Sequence, residues 1–278
     1  MVRETAVSAL LDGNNQLGIL SATEGINLAI DKAKQTGVGI IGINNSNHCG
    51  MLADYTGYAA EQGYVAMATT NTPPNMAPWG GKERYFGTNP FSYAVPTGNG
   101  PPIIFDMATS VVARGKIKLA VKNNTKIPIG WALTKDGEPT TDAREAMEGV
   151  VLPVGGAKGY GLAFLVEVLS GLFTGAGFAS HIGRPEDLQT RQNIGQFYFV
   201  MRADLFQEIE EFYHNVAKLK EEIRTIPLAK GYERIYLPGE IEQEKMLKRK
   251  QEGIPLSDEV ISEINDVAES YGVNNRLE

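Results

Sequence analysis

Apolar and polar positions follow two alternating periods along the chain. Residues 4–12, ETAVSALLD, alternate imperfectly and run into Gly13-Asn14-Asn15, which predicts a strand and a turn. Ser21 with Glu24 makes a capping-box pattern that opens a predicted helix through about residue 34, with Ile26, Ala29, Ile30 and Ala33 on one face. Gly37 ends it, and an apolar strand over 38–43 then stops abruptly in the polar run NNSNH. A helical pattern over 51–62 and a buried strand over 64–70 follow.

Residues 71–90 are irregular and rich in proline and glycine. Met76, Trp79, Tyr85 and Phe86 are interleaved there and need something to pack against, so an ordered, functional loop is expected. Short strands at 91–95 and 103–106 flank the turn TGNGPP, and a helix is predicted over 107–118, beginning DMATS. Residues 122–142 are turn-rich, with Asp136-Gly137 as a hairpin signal. A glycine-rich start leads into an apolar helix over 155–173. A strand over 196–201 precedes an amphipathic helix over 202–224, with Leu205, Ile209, Phe212, Val216, Leu219 and Ile223 in a stripe. The turn Leu237-Pro238-Gly239, a charged helix and a closing helix after Ser257 complete the chain. Strands separated by helices predict an α/β fold with a site assembled from several loops.

Composition narrows the partners. A net charge of −7 and a pI near 5.2 argue against nucleic acid or an anionic membrane surface, and the short basic run at 245–250 reads as a solvated helix face. The single cysteine, Cys49, excludes an internal disulfide and suggests a reducing compartment. No apolar run reaches bilayer length and residues 1–20 lack a signal-peptide layout, so a soluble, cytoplasmic protein is expected.

His48 is the leading catalytic candidate. It follows a strand end, among Asn45, Ser46 and Asn47, and an imidazole exchanges protons near neutrality with a substrate hydroxyl. Cys49 beside it points the other way in an extended segment and is a poor nucleophile candidate. Residues 37–42 match GxGxxG, but these glycines follow a helix and sit inside a strand, the wrong context for a dinucleotide fingerprint. With no HExxH or CxxC and three scattered histidines, no metal site is expected. The helix starts expected at DMATS and before Lys158 offer amides for a phosphate or act as plain caps, and an aspartate such as Asp106 suits a ribose hydroxyl better than a phosphate.

Taken together, NSNHCG (45–50), TNTPPNMAPWGGKERYFGTNP (70–90), FDMATSVVARGKI (105–117), GGAKGYGL (155–162), QNIGQ (192–196) and YLPGE (236–240) resemble the malate/L-lactate dehydrogenase family, along essentially the whole chain and in order. That family is distinct from the Rossmann-type lactate and malate dehydrogenases and includes ureidoglycolate, sulfolactate and diketogulonate dehydrogenases and an imino-acid reductase. The resemblance implies a non-Rossmann α/β NAD(P)-binding fold of sulfolactate dehydrogenase type. It implies one unit over 1–278, with room for two lobes, a nucleotide-binding lobe centred on about residues 70–200, and termini packed together. A homodimer that interconverts a small 2-hydroxy acid and its 2-keto acid with NAD or NADP is expected.

By the same resemblance His48 is the general acid/base. Thr72, the run Asp106, Met107, Ala108, Thr109 and Ser110, Lys158, and the Gly239-Glu240 turn hold the cofactor. Arg191, beside the family's motif arginine position at Gln192, is a candidate ligand for the substrate carboxylate. Pro73 stands where the ureidoglycolate enzyme has an acidic substrate contact, which disfavours that substrate. Relative to the family pattern, the chain begins after a helical segment carrying a Ser-His-Gly motif and a nearby arginine. The expectation is therefore a truncated chain or a variant with substrate contacts from elsewhere. The alternatives are a cyclic imino-acid reductase and a silent nucleotide-binding or dimerisation module.

Overall fold

The computed structural model describes all residues except Pro185, Glu186, Leu188, Asn275 and Glu278. Two units are distinct, Met1–Ile235 and Tyr236–Glu278. In the first, β1 (Arg3–Glu4) and β2 (Ser8–Asp12) precede α1 (Gly18–Thr36), followed by β3 (Val38–Ser46), α2 (Ala53–Glu61) and β4 (Tyr64–Thr70). After the long loop come β5 (Phe91–Val95), β6 (Ile103–Met107), α3 (Arg114–Lys122), β7 (Ala132–Leu133), α4 (Ala143–Glu148) and β8 (Val150–Val151). Helix α5 (Ala157–Glu167) runs into a π-helical turn, Val168–Leu172, before β9 (Ile194–Arg202) and α6 (Ile209–Thr225). The second unit holds α7 (Glu240–Glu252) and α8 (Asp258–Ser270), the latter capped by the Ser257 side chain, which accepts from the Val260 N–H.

Seven strands form one mixed sheet in the order β1-β2-β3-β9-β4-β5-β6. Every pairing is antiparallel except β2 with β3, the pair joined through α1. A crossover of this kind is what a parallel neighbour requires. The late strand β9 lies between β3 and β4, so chain more than a hundred residues downstream completes the centre of the sheet.

The predicted α1 face is the buried one: Ile26, Ala29, Ile30 and Ala33 join Ile41, Ile43, Tyr55, Tyr198 and Val200 in one core cluster. Gly39 makes that contact possible, because a Cβ there would collide with the Ala29 carbonyl, while Gly37 is the left-handed C-cap of α1. Gly37 and Gly39 thus serve the helix end and helix–strand packing, while Gly42 lies against Thr174 and Leu10. On the other face Phe173 meets Phe197, and Thr69 Oγ1 shares a 2.7 Å hydrogen bond with Ser170 Oγ of the π-helical turn. A second cluster, built on Val112, Ile117, Ile127, Ala132, Ala143, Ala146 and Val151, gathers α3, α4 and the β7–β8 ribbon.

Strand β3 continues past residue 43 through Ser46, and the starts of three helices also differ from expectation. Helix α1 starts at Gly18, and Ser21 does not cap it; its hydroxyl is buried and accepts from Gln16 Nε2 instead. The helix expected over 107–118 begins only at Arg114. Met107 is still paired with Phe91 in the sheet, and the Thr109 and Val111 N–H groups donate to the Thr88 and Leu152 carbonyls at 2.8 Å each, so the DMATS backbone is spent on neighbouring chain. Helix α6 begins at Ile209, because residues 202–208 turn around the Arg202–Asp204 pair, and within its stripe Leu219 stays exposed.

A carboxylate sits inside the sheet's edge. Glu167, 4% exposed, accepts from Asn71 Nδ2 (3.1 Å) and the Ala179 N–H (2.8 Å) on one oxygen, and from Asn89 Nδ2 (2.6 Å) on the other. Asn71 Oδ1 in turn accepts from the Gly195 N–H at 2.9 Å. Three donors converge on two acceptor oxygens, so Glu167→Gln must turn an NH2 group toward a donor. The variant is expected to lose about 1–3 kcal/mol of stability, read as a lower urea midpoint at unchanged slope.

Candidate active site

Register places the ends of six strands on one edge of the sheet. Asp12 pairs with Asn44, Ser46 with Ile194, Thr70 with Gln196, and Phe91 with Met107. The segments carrying His48, Thr72, DMATS and QNIGQ all leave the sheet from this edge.

His48 follows a bulge in β3, where the pairing with β9 shifts between Ile43 and Ser46 and Asn45 takes a left-handed backbone (φ 49°). Asn45 is fixed from two sides: its N–H donates to Asn193 Oδ1 at 2.9 Å and its Nδ2 to Asp12 Oδ1 at 2.8 Å. After the bulge, His48 is exposed and Cys49 buried, as opposite sides of an extended segment require. Burial pushes the Cys49 thiol up to about 12, so it is inert as a nucleophile at neutral pH.

The loop is held on every side. Gln196 Nε2 donates to the Asn47 carbonyl (3.3 Å) and to Ser46 Oγ (3.0 Å), and the Tyr55 hydroxyl donates to the Cys49 carbonyl (2.5 Å). Helix α1 begins against it at Gly18, where a Cβ would collide with the carbonyls of Asn47 and His48. The His48 ring accepts a 3.1 Å hydrogen bond at Nδ1 from the Gly50 N–H. In the neutral ring the proton then resides on Nε2.

Thr72 and the DMATS run meet through Thr88. The Thr88 N–H donates to Thr72 Oγ1 at 2.9 Å, and the Thr88 carbonyl accepts from both the N–H and the hydroxyl of Thr109. The Thr109 carbonyl accepts from the Val154 N–H, which leads into Gly155-Gly156 and the start of α5, where Lys158 is exposed in the first turn. Gly156 gives α5 no side-chain cap, and the Trp79 ring packs close against it. Thr109 and Ser110 are buried and donate to chain carbonyls, whereas Met107 and Ala108 are partly exposed.

Asp106 ties this run to the His48 loop. Its Oδ2 accepts from the Ala53 N–H at 2.7 Å, so it caps α2 from the far edge of the sheet. Its side chain keeps contact with solvent, yet partial burial raises its carboxyl pKa, against the pull of the Ala53 and Leu52 N–H groups and with a smaller push from the Asp54 charge.

Arg191 is exposed on the segment preceding β9, and its charge adds the smallest part to the lowered pKa of Asp12, behind the Asn14 N–H and the Asn45 amide. Gly239 and Glu240 belong to the second unit, where Gly239 (φ 85°) precedes α7 and Glu240 Oε2 accepts from the Leu237 N–H at 2.9 Å. Among the described residues no group of three His, Cys, Asp or Glu side chains could hold a metal ion, and no helix is long and apolar enough to cross a membrane.

Gln196, Asn193, Tyr55, Asn71, Asn89 and Glu167 support the site without standing out by motif chemistry. Their signal is a polar group at an inward position: Gln196 interrupts IGQFYFV, and Glu167 is the one charge in LAFLVEVLSGLF.

The chain matches the family model described as malate/L-lactate dehydrogenase over residues 1–265. It is 39% identical over 274 residues to the L-sulfolactate dehydrogenase of Methanocaldococcus jannaschii, covering 99% of this chain and 78% of that protein. The solved structure of the M. jannaschii sulfolactate dehydrogenase superposes with a TM-score of 0.91, covering 98% of this chain and 78% of the other. The malate dehydrogenase of Entamoeba histolytica superposes with a TM-score of 0.93 at 31% identity, covering 99% of this chain and 80% of the other.

Because the folded chain holds the Asp106 proton more tightly than the unfolded chain, stability from this group falls as pH rises through its titration range. Asp106→Asn removes that slope while keeping an acceptor for the Ala53 N–H. The thermal midpoint of the variant relative to the parent is therefore expected to be more favourable at pH 7 than at pH 4.

Proposed function

Because the chain belongs to the malate/L-lactate dehydrogenase family, we propose that it is a nicotinamide-dependent oxidoreductase interconverting a small 2-hydroxy acid, of malate, lactate or sulfolactate type, and its 2-keto acid. The observation that carries this reading is an exposed imidazole, held on a braced loop by a bond at Nδ1 and with no partner at Nε2 among the described residues, at the sheet edge from which the Thr72 and DMATS segments also leave. His48 gives a proton at Nε2 to the keto oxygen on reduction and takes it from the hydroxyl on oxidation.

The donor set fits a dinucleotide: the start of α5, which has no side-chain cap, with exposed Lys158 in its first turn suits a phosphate, and Asp106 and Thr72 supply acceptors for hydroxyl and amide groups. When bound, NAD or NADP supplies or takes the hydride at the carbon bearing the oxygen. Thr72, Asp106, Met107, Ala108, Thr109, Ser110 and Lys158 form the proposed cofactor contacts within the first unit. Arg191 is the proposed partner of the substrate carboxylate.

The same proposal takes the protein as a cytoplasmic homodimer whose nucleotide-binding part is centred on about residues 70–200. A row of exposed apolar side chains on α5 and the turn after it, Leu162, Phe164, Leu165, Leu172 and Phe173, supports association with a second copy. Sedimentation is expected to give twice the chain mass.

Fluorescence titration with NADH and NADPH, followed by assay of pyruvate, oxaloacetate, sulfopyruvate and a cyclic imine, tests the activity. Reduction of a 2-keto acid is expected. Binding of cofactor without reduction of any of them overturns the dehydrogenase reading. His48→Ala is expected to keep cofactor affinity and lose about 100-fold in kcat; unchanged turnover removes His48 from the mechanism.

A further inference from the structure

The hydrogen bond that orients His48 comes from a peptide group that is itself held from the core. The Gly50 N–H donating to Nδ1 belongs to the same planar peptide as the Cys49 carbonyl, and that carbonyl accepts from the Tyr55 hydroxyl at 2.5 Å. One plane thus carries the hydroxyl's direction to the ring. Tyr55 is 7% exposed and fixed by packing: it belongs to the main core cluster, and its ring meets fully buried Tyr198 edge-on, with centroids 6.0 Å apart at 77°. Tyr198 donates in turn to Gln196 Oε1 at 3.0 Å, and Gln196 Nε2 holds the Asn47 carbonyl on the other side of His48.

The residues on either side of the ring's attachment point are therefore anchored in the core, although His48 and Gly50 are exposed. A loop this open could satisfy its carbonyls with water. Buried anchors do something water does not, which is to fix the direction of the peptide planes.

We propose that Tyr55 is a positioning residue for proton transfer, acting through the Cys49–Gly50 peptide to hold the His48 ring with Nδ1 as acceptor and Nε2 turned out toward substrate. A donor hydrogen bond from one side polarises the peptide and strengthens the donor on its other side, so the hydroxyl and the imidazole are coupled through a single amide. Loss of the hydroxyl frees the plane, and with it both the ring's angle and its tautomer. The inference rests on the proposed role of His48 in proton transfer and adds the residue that sets its orientation.

Three histidines make the imidazole NMR tractable, and the His48 signals are assigned by their loss in His48→Ala. In the parent protein, long-range 1H–15N spectra are expected to show neutral His48 as the Nε2–H tautomer. In Tyr55→Phe, which keeps the ring and its packing, a mixture of tautomers is expected. Turnover should fall about ten- to hundredfold with cofactor affinity unchanged. In a His48→Ala background the same substitution should change turnover by less than about twofold, since the residue it acts through is gone.

A parent ring protonated at Nδ1 overturns the proposal whatever the variants do. So does Tyr55→Phe with parental tautomer and turnover, or with an equal loss in both backgrounds, which marks a structural role alone. If His48→Ala itself leaves turnover intact, the catalytic reading falls, while the tautomer in Tyr55→Phe still decides whether the hydroxyl sets the ring.

Discussion

The buried carboxylate of Glu167 is the constraint on which the rest of the structure depends. An ionised group in a dry interior is costly unless hydrogen bonds replace its water. Here Asn71, Asn89 and the Ala179 backbone supply them, and through these partners Glu167 joins the end of β4, the long loop, helix α5 and the segment before β9. Asn89 Oδ1 also accepts from the Thr72 N–H at 3.3 Å, so the same knot sets the backbone at a proposed cofactor contact. The helix changes to a π-helical turn directly after Glu167, where Ser170 reaches Thr69 and Thr174. Such turns insert one residue and let a helix present a polar side chain that regular spacing would misdirect.

A second polar chain does for His48 what the Glu167 knot does for Thr72. Gln196, Tyr198 and Tyr55 are inward residues of a strand and a helix, yet each has polar reach toward the sheet edge. Together the two sets explain why QNIGQ is informative as a unit: Asn193 fixes Asn45, Gly195 donates to Asn71, and Gln196 fixes Asn47. The motif braces the loops on both sides of it, without having to touch a ligand itself.

Much of the α/β pattern was legible. The strands at 64–70 and 91–95, the buried face of α1, the hairpin at Asp136-Gly137 and the apolar helix after 155 follow from period and turn chemistry, and the structure agrees with them. So was the structural character of the glycines at 37–42, because a fingerprint inside a strand has no helix start to offer a phosphate. The DMATS helix and the Ser21 cap were misread for one reason. Local signals describe what a segment favours by itself, and here partners elsewhere in the chain took the same backbone and hydroxyl groups.

The sequence by itself determined the family, through six ordered motifs, and marked an imidazole at a strand's polar end as the reactive group to look for. Those are properties of short spans, where period and residue type carry the information. Only the tertiary structure decided that β9 enters the middle of the sheet, that Asp106 caps α2, and that Glu167, Gln196 and Tyr55 brace the site edge. The bonds concerned join residues as far as 150 positions apart, and no local periodicity encodes a partner at that distance.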